Sequence, residues 1–338
     1  MGNLHKKLKI LATLGPTSLN EEVIRSLDDI NISLFRLNMS HVNINELEDY
    51  IKFIKKYSNI PICIDTEGAQ IRSNAFSDDS VIFDKGSIIK ILHEEIIGDN
   101  NSISFSPKGI SHQFTVNDII YIDFNSVSLK IIEKHKDYLS AEVLTGGKVG
   151  SNKAANLTRE IELDVFTKKD IEAFTIGEKN KINNYSLSFT NTANDVKKLR
   201  NIIGKKNIIS KIESKKGIQN LLSILKEADQ ILIDRGDLSR EVRIEIIPFV
   251  QRKIIEISNM KNVPVFVATN LLESMIKSKE PNRAEVNDVI STLQMGANGL
   301  VLAAETAIGA HPVNAAQMIV SLIKEYQTCD QDTILDNI

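Results

Sequence analysis

Only two cysteines, Cys63 and Cys329, occur in 338 residues, too few for a disulfide framework. With Cys63 inside the apolar run IPICID, both are expected to be reduced thiols of a cytosolic protein. No apolar run approaches the length of a membrane span, and the opening MGNLHKKLKI has no apolar signal core, so a soluble cytoplasmic protein is expected. The glycine after Met1 lacks the Ser/Thr context that favours myristoylation. Neither sign of charge is in excess. Against 44 acidic residues stand 41 basic ones, a net charge of −3 that gives no reason to expect nucleic acid or an anionic membrane as partner. The six histidines show no metal-ligand spacing and no Cys/His cluster exists, which argues against zinc.

What the sequence does contain is repetition of a pattern rather than of a motif. Short β-branched runs, most of them followed by a helical pattern, recur as KILATLG, SLFRLNMS, PICIDTE, SLSFT, NIISKIES, QILIDRG, PVFVATN and GLVLAAE. Eight such units predict an α/β fold, a (β/α)8 barrel in preference to an open sheet. Ser18 to Glu21 reads as a capping box opening the first helix, and ELEDYIKFIKKY and VKKLRNII carry helical spacing. Between 75 and 160 the pattern changes to SVIFD, SIIKIL, SISFS, DIIYIDF, SLKII and YLSAEVL, short strand-like runs separated by Gly, Asn and Asp turns. The expected organisation is therefore a barrel over 1–74 and 161–326, an inserted all-β domain over 75–160 acting as a lid, and a polar tail over 327–338.

Polar residues collect at the ends of the eight runs: Thr13, Arg36, Asn38, Asp65, Thr66, Ser188, Lys211, Glu213, Asp237, Thr269 and Glu305. In a (β/α)8 barrel the carboxyl ends of the strands meet at one mouth, so these side chains are expected to share a site; singly, each could just begin a solvated loop. Glu213 and Asp237 offer hard oxygen ligands suited to Mg²⁺ or Mn²⁺. Lys211, two residues before Glu213 and on the same strand face, suits a developing anion or a transferring phosphoryl group; the plainer alternative is a structural ion pair. Arg36 and Arg72 each follow an apolar stretch and suit bidentate recognition of phosphate or carboxylate. Beside Arg36 stand Asn38, Ser40, Asp65 and Thr66, all oxygen-bearing. Thr269 reads either as a helix N-cap or as a hydroxyl for proton delivery, and Glu305 is ambiguous in the same way.

KILATLGPTS, FRLNMSH, IDTEGAQIR, SKIES, DRGDL, ATNLLESM, PNRAEVNDV and AAETAIG, in this order and spacing, resemble the pyruvate kinase family from about Lys9 to Glu325, and LTGGKVGSNKAANL resembles its segment leading back into the barrel. The resemblance implies a (β/α)8 barrel with a β-barrel lid, and transfer of a phosphoryl group between phosphoenolpyruvate and ADP through a pyruvate enolate held by Mg²⁺ or Mn²⁺, usually with K⁺. By position it implies Glu213 and Asp237 as metal ligands, Lys211 as stabiliser of the enolate, Thr269 near the methylene carbon and Arg36 on phosphate. Asn38, Ser40, Asp65 and Thr66 are implied as the monovalent-cation site. His41, Arg72 and Lys153 are implied on the nucleotide phosphates, and Gly236 in the substrate loop.

The departures fall mostly on the nucleotide side. Glu67 stands where the family has Lys, Ala69 where it has Pro and Gln70 where it has Glu, the last at a position linked to K⁺ dependence. Phe124 and Asn125 follow Asp123 where the family has a paired Asp and Gly. Asn191 replaces Arg, Ser239 replaces Gly and Ala303 replaces Ser. The family's C-terminal regulatory domain has no counterpart in these residues, so control by sugar phosphates through it is not expected; the usual tetramer and a homo-oligomer through the barrel both stay open. Three readings follow: a pyruvate kinase-type enzyme, a phosphoenolpyruvate or pyruvate-enolate enzyme with a different phosphoryl acceptor, and an inactive homologue kept as a binding protein.

Overall fold

In a computed structural model of the chain, residues 8–30, 32–68, 70–123, 126–159 and 161–329 are described. The first seven residues, Ala69, the Phe124–Asn125 pair and the polar tail from 330 onward lie outside the described residues. So do the expectations placed on them.

Eight parallel strands close into a barrel: β1 (Lys9–Thr13), β2 (Leu34–Asn38), β3 (Ile62–Asp65), β4 (Asn184–Leu187), β5 (Asn207–Ile212), β6 (Gln230–Asp234), β7 (Val265–Ala268) and β8 (Gly299–Leu302). Order around the barrel follows order along the chain, and β8 returns to β1 in the register Lys9↔Gly299 to Ala12↔Leu302. Such strands are buried on both faces, which is why they read as continuous apolar runs rather than as alternating ones. Thr13 fastens the closing seam: its hydroxyl donates to Leu302 O (2.8 Å), and its own carbonyl accepts from Thr306 Oγ1 (2.8 Å).

Leu11, Leu34, Cys63, Ile209, Leu232, Phe266, Ala268 and Val301 pack into one cluster inside this barrel. Burying a side chain such as Leu232 contributes about 1.5–3 kcal/mol. Side chains two residues apart on a strand share a face. Two residues beyond this apolar layer come Thr13, Arg36, Asp65, Lys211 and Asp234, so the alternation that builds the core also aims these polar groups inward.

The helices between strands cover the outside. Glu21–Asp29 buries Ile24 and Leu27, Ile44–Tyr57 buries Leu47, Ile51 and Ile54, and Ala193–Ile203 buries Val196, Leu199 and Ile203. The capping box expected at Ser18 is not formed. Ser18 Oγ accepts from Gly15 N (3.0 Å) in the turn after β1, and Asn20 caps the helix instead, accepting from Val23 N (3.0 Å). No described helix is long and apolar enough to cross a membrane.

The residues through Gly68 and from Phe166 onward form one compact unit, and Ala69–Val165 form a second. The second holds a closed barrel of Ile71–Ser73, Ile88–Leu92, Ser102–Ser106, Ile119–Ile122, Val127–Lys134, Tyr138–Thr145 and Ala154–Leu157 around Phe105, Phe114, Leu129 and Val143. Ile71–Ser73 pairs with Ala154–Leu157 and Ser102–Ser106, so it groups with the smaller unit although it precedes residue 75. Ser80–Phe83, read with the other strands, forms a separate two-stranded sheet with Gly147–Gly150.

Burial pushes the Cys63 thiol up to about 12, whereas Cys329 is exposed. A thiol reagent is therefore expected to titrate one cysteine in the native protein and the second only in denaturant. Two fast thiols under native conditions would mean that the barrel interior opens.

Candidate active site

At the carboxyl ends of the strands, Lys211 is buried among carboxylates. Its Nζ lies 2.7 Å from Glu213 Oε1, 3.5 Å from Asp65 Oδ2 and 3.8 Å from Asp234 Oδ2, and it donates to Ser188 Oγ (3.1 Å). Asp65 Oδ2 is shared with Arg36, whose Nε is 3.3 Å away. A lysine so deeply buried costs several kcal/mol unless its charge is matched by partners in good geometry. Burial alone would lower the Lys211 pKa, but Asp65, Glu213 and Asp234 together outweigh it and hold the lysine cationic. Arg36 is held charged in the same way, burial being outweighed chiefly by Asp65 and Asp234.

The carboxylates are less evenly matched. Glu213 is pushed up to about 8 by burial and by the nearby Asp237 and Asp234, despite Lys211 beside it. Lys211 and Glu213 thus shift in ways that do not mirror each other. The physical reason is the crowd of negative charge around Glu213, which one lysine does not cancel. Its Oε2 is fixed by the Phe189 backbone N–H (2.6 Å). Glu213, Asp234 and Asp237 each offer a carboxylate oxygen within 4.8 Å of the others. Three hard oxygen donors at that spacing suit Mg²⁺ or Mn²⁺.

Asp237 sits half-buried in the short helix Arg235–Leu238, paired with Arg240 Nη1 at 3.1 Å. Asp234 is missed by sequence reasoning, because it reads as the start of the RGD turn. Counting by twos from the core residue Leu232 is the signal that places it inward. Its carboxyl is lowered: burial would raise it, and Lys211, the Thr269 hydroxyl and Arg36 prevail.

Thr269 follows β7 with φ = +73°, a left-handed conformation that a β-branched residue rarely adopts and that costs about 1–3 kcal/mol. Three contacts hold it there. Its Oγ1 donates to Asp234 Oδ1 (2.7 Å), Arg235 Nε donates to its carbonyl (3.0 Å), and Arg235 is itself anchored on Asp288 (2.7 Å). The N-cap reading of Thr269 does not apply: the next helical turn, Glu273–Ile276, has Leu272 at its N-cap and no side-chain cap bond. A Cβ on Gly236 would stand 2.9 Å from Thr269 Cγ2. Gly236→Ala is expected to cost about 1–3 kcal/mol of stability, as overpacking does. It should also lower turnover by displacing the hydroxyl. A melting curve and kcat measured together check this.

Asn38 stands opposite Asp65 in register, and its Oδ1 accepts from Ser40 N (3.0 Å). Thr66 Oγ1 accepts from Ser188 N (2.9 Å). These residues adjoin Arg36, whose Nη1 is buried without a hydrogen-bond partner among the described residues, as is Asp65 Oδ1. Buried polar atoms are almost always paired, so orphaned ones here are what a site awaiting a ligand would leave. His41 is exposed in the turn after β2.

Arg72 and Lys153 belong to the smaller unit, where Arg72 Nη1 donates to Asn152 O (3.2 Å) and Lys153 Nζ lies 3.8 Å from Asp123 Oδ2. Glu305 supports the loop after β7 by accepting from Leu272 N (3.2 Å) and Ala303 N (2.8 Å). Asn191 is engaged structurally, accepting from the Ser214 hydroxyl at the next helix start.

Residues 5–316 match the model of the pyruvate kinase barrel domain. The chain is 33% identical to pyruvate kinase of Thermotoga maritima over 345 residues, covering 97% of this chain and 74% of that protein. It is 30% identical to pyruvate kinase of Thermococcus litoralis over 328 residues, with 94% and 69% covered. Among solved structures, a pyruvate kinase from Cryptosporidium parvum superposes with a TM-score of 0.85 at 30% identity, over 98% of this chain and 71% of that one.

Proposed function

The chain belongs to the pyruvate kinase family, and on that premise we propose that it moves the phosphoryl group of phosphoenolpyruvate to ADP at the mouth of its larger barrel. The observation that carries this reading is the buried pair of cations, Lys211 and Arg36, set beside three clustered carboxylates. Arg36 binds the phosphate through the donors it leaves unpaired. Lys211 faces the bridging oxygen, whose bond to phosphorus breaks as a bond from phosphorus to a terminal oxygen of ADP forms. Charge builds on the enolate oxygen as that happens, and a preorganised cation there lowers the barrier.

Thr269, held in its strained conformation by Asp234 and Arg235, would deliver the proton to the methylene carbon that turns the enolate into pyruvate. Glu213 and Asp237 would hold the divalent cation, which supplies further positive charge to the transferring phosphoryl group. Asn38, Ser40, Asp65 and Thr66 would hold K⁺. His41 would meet the nucleotide phosphates.

Phosphorus NMR of the protein with phosphoenolpyruvate, ADP and Mg²⁺ tests the reading. Loss of the phosphoenolpyruvate signal with growth of the ATP resonances is expected, and chelation of the metal should stop it. Pyruvate formation without a phosphorylated nucleotide, across a panel of nucleoside diphosphates, would overturn ADP as acceptor.

A further inference from the structure

Beyond the two carboxylates already proposed for the cation, we propose that Asp234 is a third ligand, binding the divalent ion through Oδ2 while Oδ1 keeps Thr269 in place. This rests on the reading of the barrel mouth given above. The two oxygens of Asp234 have different surroundings. Oδ1 accepts from Thr269 Oγ1 (2.7 Å) and from Gly236 N (3.2 Å), so it is committed to the loop. Oδ2 accepts no hydrogen bond among the described residues, and its nearest charge is Lys211 Nζ at 3.8 Å, beyond hydrogen-bonding distance. One carboxylate oxygen of Asp234 lies within 4.8 Å of ligand oxygens of Glu213 and Asp237, and Oδ2 is the one left uncommitted. A residue needed only to cap the short helix or to hold Thr269 would be satisfied through Oδ1 alone.

Three carboxylates brought within 4.8 Å of one another repel, and a divalent cation relieves that repulsion. Asp234 thereby strengthens the hold of the substrate-free protein on its divalent ion, and one carboxylate links that ion to the hydroxyl beside the protonated carbon.

Mn²⁺ titration of the substrate-free protein, following free ion by electron spin resonance and bound ion by water-proton relaxation, tests this without any turnover. Asp234→Asn keeps an acceptor for Thr269 and the helix cap but removes the charge. It is expected to weaken Mn²⁺ binding by about tenfold or more, whereas Thr269→Val, which removes only the hydroxyl, should change it by less than about twofold. Bound Mn²⁺ in Asp234→Asn should also relax water protons more strongly, because water takes the vacated position. Asp234→Ala, with the melting temperature measured alongside, serves if the amide is not tolerated. Wild-type affinity in Asp234→Asn with binding lost in Glu213→Gln would overturn the role of Asp234 and leave the cation site standing. Unchanged binding in both variants would overturn the cation site as well, and this proposal with it.

Discussion

Lys211→Met is expected to lower kcat by about 10²–10³-fold, close to 3–4 kcal/mol of barrier, the usual effect of removing one preorganised donor from a developing anion. KM for phosphoenolpyruvate should change far less, because Arg36 keeps its hold on the phosphate. The same substitution has a structural cost. Asp65, Glu213 and Asp234 all lean on Lys211, and without it their charges stand in a buried site with Arg36 as the nearest compensation. The variant should meet this by taking up protons, so its stability should fall with rising pH more steeply than that of the wild type. Steady-state kinetics and melting at several pH values check both parts. A large loss of kcat together with a wild-type melting profile would mean that the carboxylates are matched by something other than Lys211.

The largest stability effect is expected from Asp65→Ala. Asp65 is fully buried and its Oδ2 lies between Arg36 (3.3 Å) and Lys211 (3.5 Å). Removing it strips buried Arg36 of its nearest anion and leaves Lys211 with Glu213 and Asp234 alone. Breaking a buried pair from one side costs about 3–5 kcal/mol, most of it the penalty of the stranded charge. Denaturant unfolding of the variant should show that loss in the midpoint with little change of slope, since the fold itself is kept. A loss below about 1 kcal/mol on the same measurement, no more than an exposed pair contributes, would show that water or the substrate anion, and not Asp65, neutralises the cations.

Much of this arrangement is legible in the order of the amino acids, and the exceptions have physical causes. The eight barrel strands announce themselves because parallel strands buried on both faces must be continuously apolar, as in NIISKI and QILID. Arg36, Asp65, Lys211 and Glu213 are legible for the same reason: a charged residue ending such a run is conspicuous. Asp234 is hidden by its neighbours. Followed by Arg-Gly-Asp it looks like the entry to a turn, and only its phase with Leu232 shows that it points inward.

The conformation of Thr269 is not legible at all. Nothing in VATNLL announces φ = +73° for a β-branched residue, since what enforces it is tertiary: Asp234, Arg235 and the bare Cα of Gly236. In the smaller barrel the short strand Ile71–Ser73 escapes notice because three residues carry no periodicity, while Ser80–Phe83 reads as a strand yet pairs outside the closed sheet. Local pattern says that a strand exists. Its partner is decided by contacts far away in sequence.

The mouth of the larger barrel is expected to stabilise the enolate of pyruvate and to deliver a proton to it. Exchange of the pyruvate methyl hydrogens in deuterated water, followed by proton NMR with Mg²⁺ present, reads both steps at once. The expected result is metal-dependent exchange in the wild type, strongly reduced in Lys211→Met and in Thr269→Ala. Absence of exchange in the wild type, or exchange that proceeds undiminished in Lys211→Met, would contradict it.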